Sequence, residues 1–487
     1  MHDQTYPVEP PGDDDEHDCG WKQYAASIQG KVTTLEAELE ALKRAVFGKK
    51  SERAPKAVKL PPPVPEQPTK AQTKQRRQDQ KEARDAAIEI TVVPVPVPAA
   101  ERVCKGCKGT EFRRVGDKPS VVVDFVSAHF RKRIYRRETL VCECGAMVSA
   151  APPERIGDKT HYAPGFCAHV VVSKIRDHMP LYRMAKAFQS QGVPIARSTL
   201  NSLLHRAANE LAPIYNAAQA RVPAAHRVHA DETSFREQGK DGKTFVWTFV
   251  TDELVFYRYA PSRSGETPRQ VLGKSTGLLT VDQHSGYNTV SLPGGRVRGG
   301  CLAHARRRIF EARALPEAAD ALELIRKIYL IERHAKNEGI LHTSEHLALR
   351  KREARPLFAQ LLRWARKHRR GTEPGSLLGR ATGYLVRHFR ELGRFLHHAE
   401  LRLDNNTAES ALRPVALGRK NYLSFGSEEA GHNIAALYTL VATCELHKID
   451  PVAYLTDVLV RVQSHPAKDV AELLPHRWQA LRLPARA

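Results

Sequence analysis

The sequence lacks the features of exported and membrane-spanning proteins. No run of about eighteen apolar residues occurs, and the valine-rich stretch "TVVPVPVPAA" is interrupted by proline. The opening residues "MHDQTYPVEPPGDDDEHD" are acidic and contain proline, without the basic and apolar parts of a secretory signal. We therefore expect a soluble, intracellular chain with no membrane partner.

Cysteine is scarce, and half of it lies in two close pairs. Among the eight cysteines of this 487-residue chain, Cys104 and Cys107 are separated by two residues, and Cys142 and Cys144 by one. In a reducing compartment this spacing favours metal over disulfides, and four thiolates complete the coordination of a structural zinc ion. The tight second pair departs from a standard zinc ribbon. The sequence predicts structural zinc here; the alternative is a set of incidental surface thiols.

Acidic residues are outnumbered by basic ones. Lysine and arginine total 76 against 54 aspartates and glutamates, which gives a formal charge of +22 and an isoelectric point near 9.7. Such an excess favours a polyanionic partner, and nucleic acid is the first candidate. The length allows roughly two to four domains.

Residues 1–155 contain three predicted segments. Residues 1–50 combine an acidic tail with a short leucine-zipper helix, which indicates either self-association or a helix docked on its own protein. Residues 51–100 are rich in proline and charge and predict a disordered linker. Residues 101–155 predict a small β module that carries the cysteine pairs. The apolar zipper positions are Val32, Leu35, Leu39, Leu42 and Val46.

Residues 160–220 predict helices, including a helix, a turn and a second helix. Gly192 and Pro194 interrupt the chain between two amphipathic stretches. A DNA-reading helix-turn-helix would place Arg197 and Asn201 near the start of its recognition helix. An ordinary helical hairpin explains the same pattern.

The remaining chain predicts a sheet followed by helices. Residues 221–311 contain β-branched and aromatic runs separated by glycine- or charge-rich turns, which indicates a mixed sheet. Residues 312–400 are helical and basic, residues 401–445 begin with one more helix, and residues 446–487 form a C-terminal helical region. The predicted fold class is therefore a multidomain α/β protein.

Two aspartates follow strand-like apolar runs. Asp231 lies in "VHADETSF" and Asp282 in "LLTVDQHSGY", at a separation of 51 residues (282 − 231 = 51). Aspartates carried by two strands can meet at one edge of a sheet, whereas a single aspartate in such a place is more often a turn residue or a helix cap. The pair is therefore more informative than either residue alone.

The stretch "RLDNNTAESALRP" adds two further carboxylates, Asp404 and Glu409, and spacing alone does not choose between them. A local explanation accounts for Glu409: Asn406 caps a helix, Glu409 favours the positive end of the helix dipole, and Arg413 pairs with it one turn later. That explanation leaves Asp404 without a role.

A convergence of Asp231, Asp282 and Glu409 would create a metal site. Three such oxygen donors can bind two magnesium ions about 4 Å apart, which activate a water or 3′-hydroxyl and stabilise the leaving oxygen of a phosphodiester. Basic residues nearby would hold the DNA backbone, although a solvated helix face is the alternative for each. These residues are Arg306, Arg307 and Arg308 of "AHARRR".

Cys301 and His304 also have the spacing of metal ligands. Since no clear second pair accompanies them, we interpret His304 as a neighbour of the active centre that orients substrate or water.

A long ordered series of stretches resembles the insertion sequence sixty-six transposases, a bacterial family with an Asp-Asp-Glu catalytic triad. Besides the paired cysteines, the matching stretches are "FGKKSER", "APGFCAHVVVSKIRDHMPLYR", "ADET", "VDQHSGYN", "CLAHARRRIF", "DNNTAESALRPVALGRKNYLSFGS" and "DPVAYLTDVL".

The resemblance implies a ribonuclease-H-like core formed by residues 221–311 and 401–445, with residues 312–400 as a helical insertion. It implies Asp231, Asp282 and Glu409 as the triad, with Mg²⁺ or Mn²⁺ as cofactor. It also implies a structural zinc segment at the cysteines, DNA-end recognition by the N-terminal part, and accessory proteins encoded by the same element. Many related transposases carry a basic residue where this chain has Ala416; the candidates to replace it are Arg413, Arg419 and Lys420.

The predicted function is that of a DNA transposase, which acts as an oligomer in the bacterial cytoplasm near the nucleoid. It would bind the ends of an insertion sequence, cleave a strand and join the 3′-hydroxyl to target DNA. Two alternatives remain: a DNA-binding regulator without catalysis, in which Glu409 serves only the helix, and a nuclease that cleaves without joining.

Overall fold

The structure, a computed structural model, describes residues 162–291 and 293–482 together with short stretches at 28–29, 32, 75, 78–79, 130, 139–141, 147–149 and 155–156. The chain divides into two units, Met1–Val46 with Phe130–Ala487, and Phe47–His129. In the second unit, Gln75, Gln78 and Asp79 are helical. Of the predicted zipper positions, Val32 is helical and 47% exposed, and the other four lie outside the described residues.

Two short strands belong to the segment for which we predicted a zinc-binding module. Strand β1 (Thr139–Val141) pairs antiparallel with β2 (Met147–Ser149). The four paired cysteines lie outside the described residues, so the zinc site stays a prediction.

A five-stranded mixed sheet forms the centre of the larger unit, as the sequence predicted. The strand order is β5-β4-β3-β6-β7; β3, β4 and β5 are antiparallel, whereas β6 and β7 run parallel to β3. The strands are β3 (Arg227–Phe235), β4 (Thr244–Val250), β5 (Val255–Ala260), β6 (Leu278–Thr280) and β7 (Val297–Gly299). Helix α5 (Glu266–Leu272) and a 3-10 turn (Ser285–Val290) connect them.

Helices that precede the sheet in the sequence and helices that follow it share one hydrophobic core with the sheet. The shared core forms because the sheet and each amphipathic helix have an apolar face that must be buried against another element. The N-terminal helices are α1 (Pro164–Ile175), α2 (Leu181–Ser190), α3 (Arg197–Glu210) and α4 (Ala212–Arg221). The C-terminal elements are α12 (Asn406–Tyr422), α13 (Glu428–Leu446), α14 (Pro451–Arg461), a 3-10 turn (Ala467–Leu473) and α15 (Pro475–Arg482).

Helix α13 covers the outer edge of the sheet. The hydroxyl groups of Thr439 and Thr443 accept hydrogen bonds from the backbone N–H groups of Tyr257 and Val255, at 2.9 and 3.2 Å. These N–H groups belong to β5, which within the described residues has no neighbouring strand on that side. Two buried threonines of α13 therefore satisfy backbone groups at the edge of the sheet.

The helices between β7 and α12 form a second hydrophobic core, to which Leu278 of β6 also contributes. The backbone N–H of Leu302 donates to the carbonyl oxygen of Leu403 at 2.8 Å, so the segment begins and ends at the same place. Its elements are α6 (Leu302–Glu311), α7 (Glu317–Asn337), α8 (Ser344–Leu349), a π-helical turn (Arg350–Ala354), α9 (Arg355–Arg369), α10 (Leu377–Arg387), α11 (Phe389–Leu392) and a 3-10 turn (Arg394–Leu396).

Within the described residues, none of the helices combines the length and apolar character that a bilayer crossing requires.

Candidate active site

Asp231 and Asp282 occupy equivalent places on two adjacent parallel strands. The β3–β6 register pairs Arg227 with Leu278 and His229 with Thr280, a constant offset of 51 residues (280 − 229 = 51). Asp231 and Asp282 have the same offset, and Asp282 lies two residues beyond the end of β6. Asp231 lies within β3, two residues beyond the last β3–β6 pair, so the two aspartates meet where the parallel strands stop pairing. We call this place the acidic edge of the sheet.

The charge environment of Asp231 links all three predicted carboxylates. Burial, together with the negative charges of Glu232, Asp282 and Glu409, raises the pKa of Asp231 from 3.8 to about 8, against a hydrogen bond from the Glu232 backbone N–H. A cluster of this kind is electrostatically costly without a cation. The edge is therefore suited to bind positive charge.

Glu232 is a member of the cluster that sequence reasoning missed. Its side chain is fully buried; Arg263 Nε donates to one carboxylate oxygen at 2.7 Å, and the Tyr287 hydroxyl donates to the other at 2.7 Å. Arg263 Nη2 also lies 3.8 Å from an oxygen of Asp282. The only sequence signal was the second acid in "ADET", and strand alternation suggested that it faced away from Asp231.

The loop that carries Asp282 is fixed on two sides. The carboxylate of Asp282 accepts a hydrogen bond from the backbone N–H of His284 at 2.8 Å. Arg298 on β7 donates to the carbonyl oxygens of Asp282 and His284, at 2.8 and 3.0 Å. A largely buried arginine thus positions the backbone on which the second aspartate sits.

Glu409 lies in the first turn of α12 and faces helix α6. Its Oε1 is 3.6 Å from Nδ1 of His304, and its Oε2 is 3.9 Å from Nη2 of Arg307. Within the described residues, neither His304 Nδ1 nor Glu409 Oε1 has a hydrogen-bond partner. Two facing polar atoms are therefore buried and unsatisfied, which leaves them free to bind a ligand.

The local explanation, in which the side chain of Asn406 caps the helix before Glu409, is wrong. Asn405, not Asn406, is the N-cap of α12; Asn406 is already helical, and its backbone N–H donates to a carboxylate oxygen of Asp404 at 3.3 Å. The side chain of Asn405 does not cap the helix. It is fully buried, and Nδ2 donates to the carbonyl oxygen of Ala230 at 2.7 Å. Sequence reasoning missed this bond, which joins the start of α12 to β3 one residue before Asp231.

Metal-ligand atoms form two groups among the described residues, each within 4.8 Å. Asp231, Glu232 and Asp282 form the first, and Cys301, His304 and Glu409 the second. Glu409 thus belongs to the second group and not to that of the two aspartates. The first group consists of hard oxygen donors, which suit Mg²⁺ or Mn²⁺. Burial raises the pKa of Cys301 to about 11, and its sulfur accepts a hydrogen bond from the Asn405 N–H, which favours a packed thiol.

The predicted DNA-binding residues lie in several places. Arg197 and Asn201 are exposed in the first turns of α3, after a six-residue connection from α2. Arg413 and Lys420 are exposed on α12, whereas Arg419 donates to Thr233 Oγ1 at 3.1 Å and to the carbonyl oxygen of Ser234. Contacts with strand β3 are therefore sufficient to explain the position of the Arg419 side chain.

The three arginines of α6 have different surroundings. Arg306 lies 5.5 Å from the ring centroid of Phe310, Arg307 approaches Glu409, and Arg308 lies 4.7 Å from the ring centroid of Tyr384. Arg307 and Arg308 are exposed and Arg306 is half-buried.

A mixed α/β fold with a cluster of carboxylates at one sheet edge, and a long helical segment entering beside it, is compatible with the catalytic core of a transposase. Sequence comparison makes the assignment specific. The chain belongs to the Transposase IS66 family, whose profile matches residues 159–433, and the IS66 C-terminal element matches residues 439–476.

Relatives in Sinorhizobium fredii (strain NBRC 101917 / NGR234) are similar along most of the chain. Uncharacterized protein y4hP is 29% identical over 498 residues, covering 92% of this chain and 89% of the relative. Uncharacterized protein y4jD is 29% identical over 500 residues, covering 94% and 97%. Uncharacterized protein y4qI is 26% identical over 398 residues, covering 77% and 73%.

Proposed function

We propose that this chain is a DNA transposase that binds the ends of a bacterial insertion sequence, cleaves a strand with a divalent metal and joins the 3′-hydroxyl to target DNA. The observation that carries the proposal is the coupling of Asp231 to Asp282 and Glu409 at one sheet edge. Family membership supports the same reaction class. The strand order supports a ribonuclease-H-like core interrupted by residues 312–400.

Asp231 and Asp282 would hold Mg²⁺ or Mn²⁺, with Glu409 completing the site. Such ions lower the pKa of a water or 3′-hydroxyl and stabilise the leaving oxygen of a phosphodiester. The fit rests on hard oxygen donors: burial and then their mutual repulsion raise the pKa of Asp231. A bound cation would relieve that repulsion.

The chain's own residues position these carboxylates. His304 and Arg307 hold Glu409 near the strand edge, and Asn405 fixes the start of its helix. Arg263 and Tyr287 keep Glu232 turned inward, so that Glu232 supports the site from behind. We assign His304 to orienting substrate or water, in keeping with its unsatisfied Nδ1.

Phosphate contacts would supply most of the DNA affinity, so binding should weaken as salt rises. Cations near the site are suited to that role, and Arg197 and Asn201 on α3 are suited to reading DNA ends. The cations are Arg306, Arg307, Arg308, Arg413 and Lys420, with Arg419 restricted by its contacts to β3. We extend the proposal to a zinc module in residues 101–155, a homo-oligomer, accessory proteins of the same element, and action on DNA in the cytoplasm.

A DNA-binding regulator without strand cleavage is the second candidate. One observation favours it: Glu409 is engaged by His304 and Arg307 and lies outside the oxygen group of Asp231, Glu232 and Asp282. In that case Glu409 would serve only the packing of α12 on α6.

One experiment separates the candidates. Purified protein is incubated with labelled candidate ends, Mg²⁺ and a target plasmid, and then nicked and joined products are measured. A transposase gives both, a nuclease gives nicks alone, and a regulator gives a gel shift without nicking. Asp231→Asn, Asp282→Asn and Glu409→Gln should each abolish cleavage and leave end binding within about threefold.

Asp404→Asn is the matched control for Glu409→Gln. Asp404 lies in the same stretch and accepts a hydrogen bond from the Tyr329 hydroxyl at 3.1 Å, which asparagine can retain. It should cleave nearly as well as the original chain. Full cleavage by any of the three predicted catalytic variants would remove that residue from the site.

A further inference from the structure

A basic cavity of about 480 Å³ lies beside the acidic edge. Asp282 lines it from the sheet, and His304 of α6 and several residues of α10 line it from the helical segment. Asp282 is the one carboxylate among the described residues that line it. Five arginines line it as well: Arg263, Arg308, Arg369, Arg380 and Arg387.

Most of this positive charge is not neutralised by the protein. Arg263 pairs with Glu232, but within residues 162–291 and 293–482 no carboxylate lies within 4.0 Å of the other four guanidinium groups. Arg308 is held over the ring of Tyr384. Unpaired guanidinium groups that share a cavity repel one another and are suited to bind phosphate oxygens.

The sequence of α10 directs this charge into the cavity. Arg380, Tyr384 and Arg387 follow one another by four and three residues, so they share one face of the helix. Gly383 lies on the same face, and a Cβ added there would meet no atom within 4 Å. A glycine within a helix costs about 0.5–1 kcal/mol relative to alanine, and here it leaves space for a ligand.

We propose that this cavity holds the phosphates of an unpaired DNA segment that continues from the acidic edge, with Arg380 and Arg387 as its main contacts. The inference rests on the proposed function, since it takes the scissile phosphate to lie at Asp282. The volume falls within the range of about 300–1,000 Å³ that is typical of small-ligand sites. It therefore suits a nucleotide-sized segment of one strand.

The test measures binding without metal, so that it does not depend on cleavage. Fluorescence anisotropy compares a blunt duplex with the same duplex carrying a single-stranded overhang, for the original chain and Arg380→Ala/Arg387→Ala. We expect at least a tenfold loss of affinity for the overhang substrate and less than threefold for the blunt one. The salt slope for the overhang should fall by about 1.4, because each single-strand phosphate contact contributes about 0.7.

Two controls test whether a loss of affinity comes from the charge within the cavity. The first tests the effect of net charge, and the second tests the effect of a side chain of the same size. Arg363→Ala/Arg366→Ala removes two exposed charges from α9 that do not line the cavity and should leave both affinities unchanged. Gly383→Glu places a negative charge in the cavity, whereas Gly383→Gln has nearly the same shape. The Glu variant should lose overhang binding and the Gln variant should lose much less.

Equal losses for blunt and overhang substrates, or no loss for either, would overturn the cavity proposal. If the original chain fails to nick DNA with Mg²⁺ but shows the expected binding pattern, the proposed catalysis fails and the cavity stands. If the original chain nicks and joins DNA while the α10 variants bind the overhang substrate normally, the cavity proposal fails and the proposed catalysis stands.

Discussion

The side-chain amide of Asn405 donates to the carbonyl oxygen of Ala230 at 2.7 Å, across 175 positions of sequence. This bond fixes the helix that carries Glu409 against the strand that carries Asp231. Two elements that are distant along the chain thus meet at the candidate site through one buried amide.

Asn405→Ala should therefore impair cleavage more than DNA binding. Loss of the amide leaves the buried carbonyl group of Ala230 unpaired, at a cost of about 1–3 kcal/mol. We expect a lower melting temperature and at least a tenfold slower cleavage, with end binding within about threefold. Asn406→Ala, at the exposed neighbouring position, is the control. Equal cleavage by the two variants would show that this bond does not position Glu409.

Asp231→Asn should stabilise the metal-free protein in alkaline solution. The pKa of Asp231 is raised to about 8 from an ordinary value of 3.8, so the folded state keeps a proton that the unfolded state releases. Stability is therefore lost as pH rises from about 4 to about 8, and the asparagine variant escapes this loss. Melting temperatures at pH 4, 6 and 8 should diverge progressively, by several degrees at pH 8.

The control for Asp231→Asn is Asp241→Asn, which removes an exposed carboxylate and should not follow this pH trend. Added Mg²⁺ should raise the melting temperature of the original chain, since a ligand that binds only the folded state stabilises it. It should raise that of Asp231→Asn less. A pH-independent difference between the two chains would contradict the assigned pKa.

Arg263→Met should destabilise the protein by leaving the buried Glu232 carboxylate without its cation. Breaking a fully buried pair costs about 3–5 kcal/mol; because Arg263 is 45% exposed, we expect about 2 kcal/mol. Adding Glu232→Gln to Arg263→Met should restore part of the loss. Urea unfolding of the four chains in this double-mutant cycle measures the coupling.

The surface pair Arg269–Glu266 provides the comparison for that cycle, and its coupling should lie within the error of the measurement, because solvent screens an exposed pair. A coupling as small for Arg263–Glu232 would mean that Tyr287 alone holds Glu232.

Metal analysis of the purified chain should find one zinc ion per molecule. Cys104→Ser or Cys142→Ser should remove it, since three thiolates bind a structural zinc ion less tightly than four. Cys19→Ser, which changes a cysteine outside both pairs, should retain it. Zinc well below one per chain in the original protein would favour incidental thiols.

Removal of residues 1–50 should lower the oligomeric state if the zipper joins chains. The apolar repeat covers about two heptads, which is short for an independent coiled coil. Crosslinking of the shortened and full chains measures the difference. Unchanged oligomers would favour a helix docked on its own protein.

The sequence was sufficient to predict the mixed sheet and the placement of the two aspartates. Each aspartate follows a short apolar run in the sequence, and the parallel pairing repeats the register at a constant offset of 51 residues. The apolar runs in the sequence and the β3–β6 pairing in the structure therefore place the two aspartates next to each other. The helical character of the segment before Glu409 was equally clear from its composition.

The roles of Glu232 and Asn405 were less accessible, because they depend on partners far along the chain. Strand alternation alone would direct Glu232 away from Asp231, whereas its contacts with Arg263 and Tyr287 explain why an acid is buried there. Asn405 and Asn406 are indistinguishable by capping preference, yet the carbonyl group of Ala230 selects the first. Tertiary contacts thus distinguish residues that capping preference and strand alternation alone do not.

The hydrogen bond between Leu302 and Leu403 brings the two ends of the helical segment to one place. The segment's own hydrophobic core supports it, so its length can vary without changing the span that the sheet must accommodate. His304 and Glu409 follow these two leucines within two and six residues. A substitute segment of any size that restored this one pairing would return both residues to their places, whereas a small rotation of the present one would displace both together.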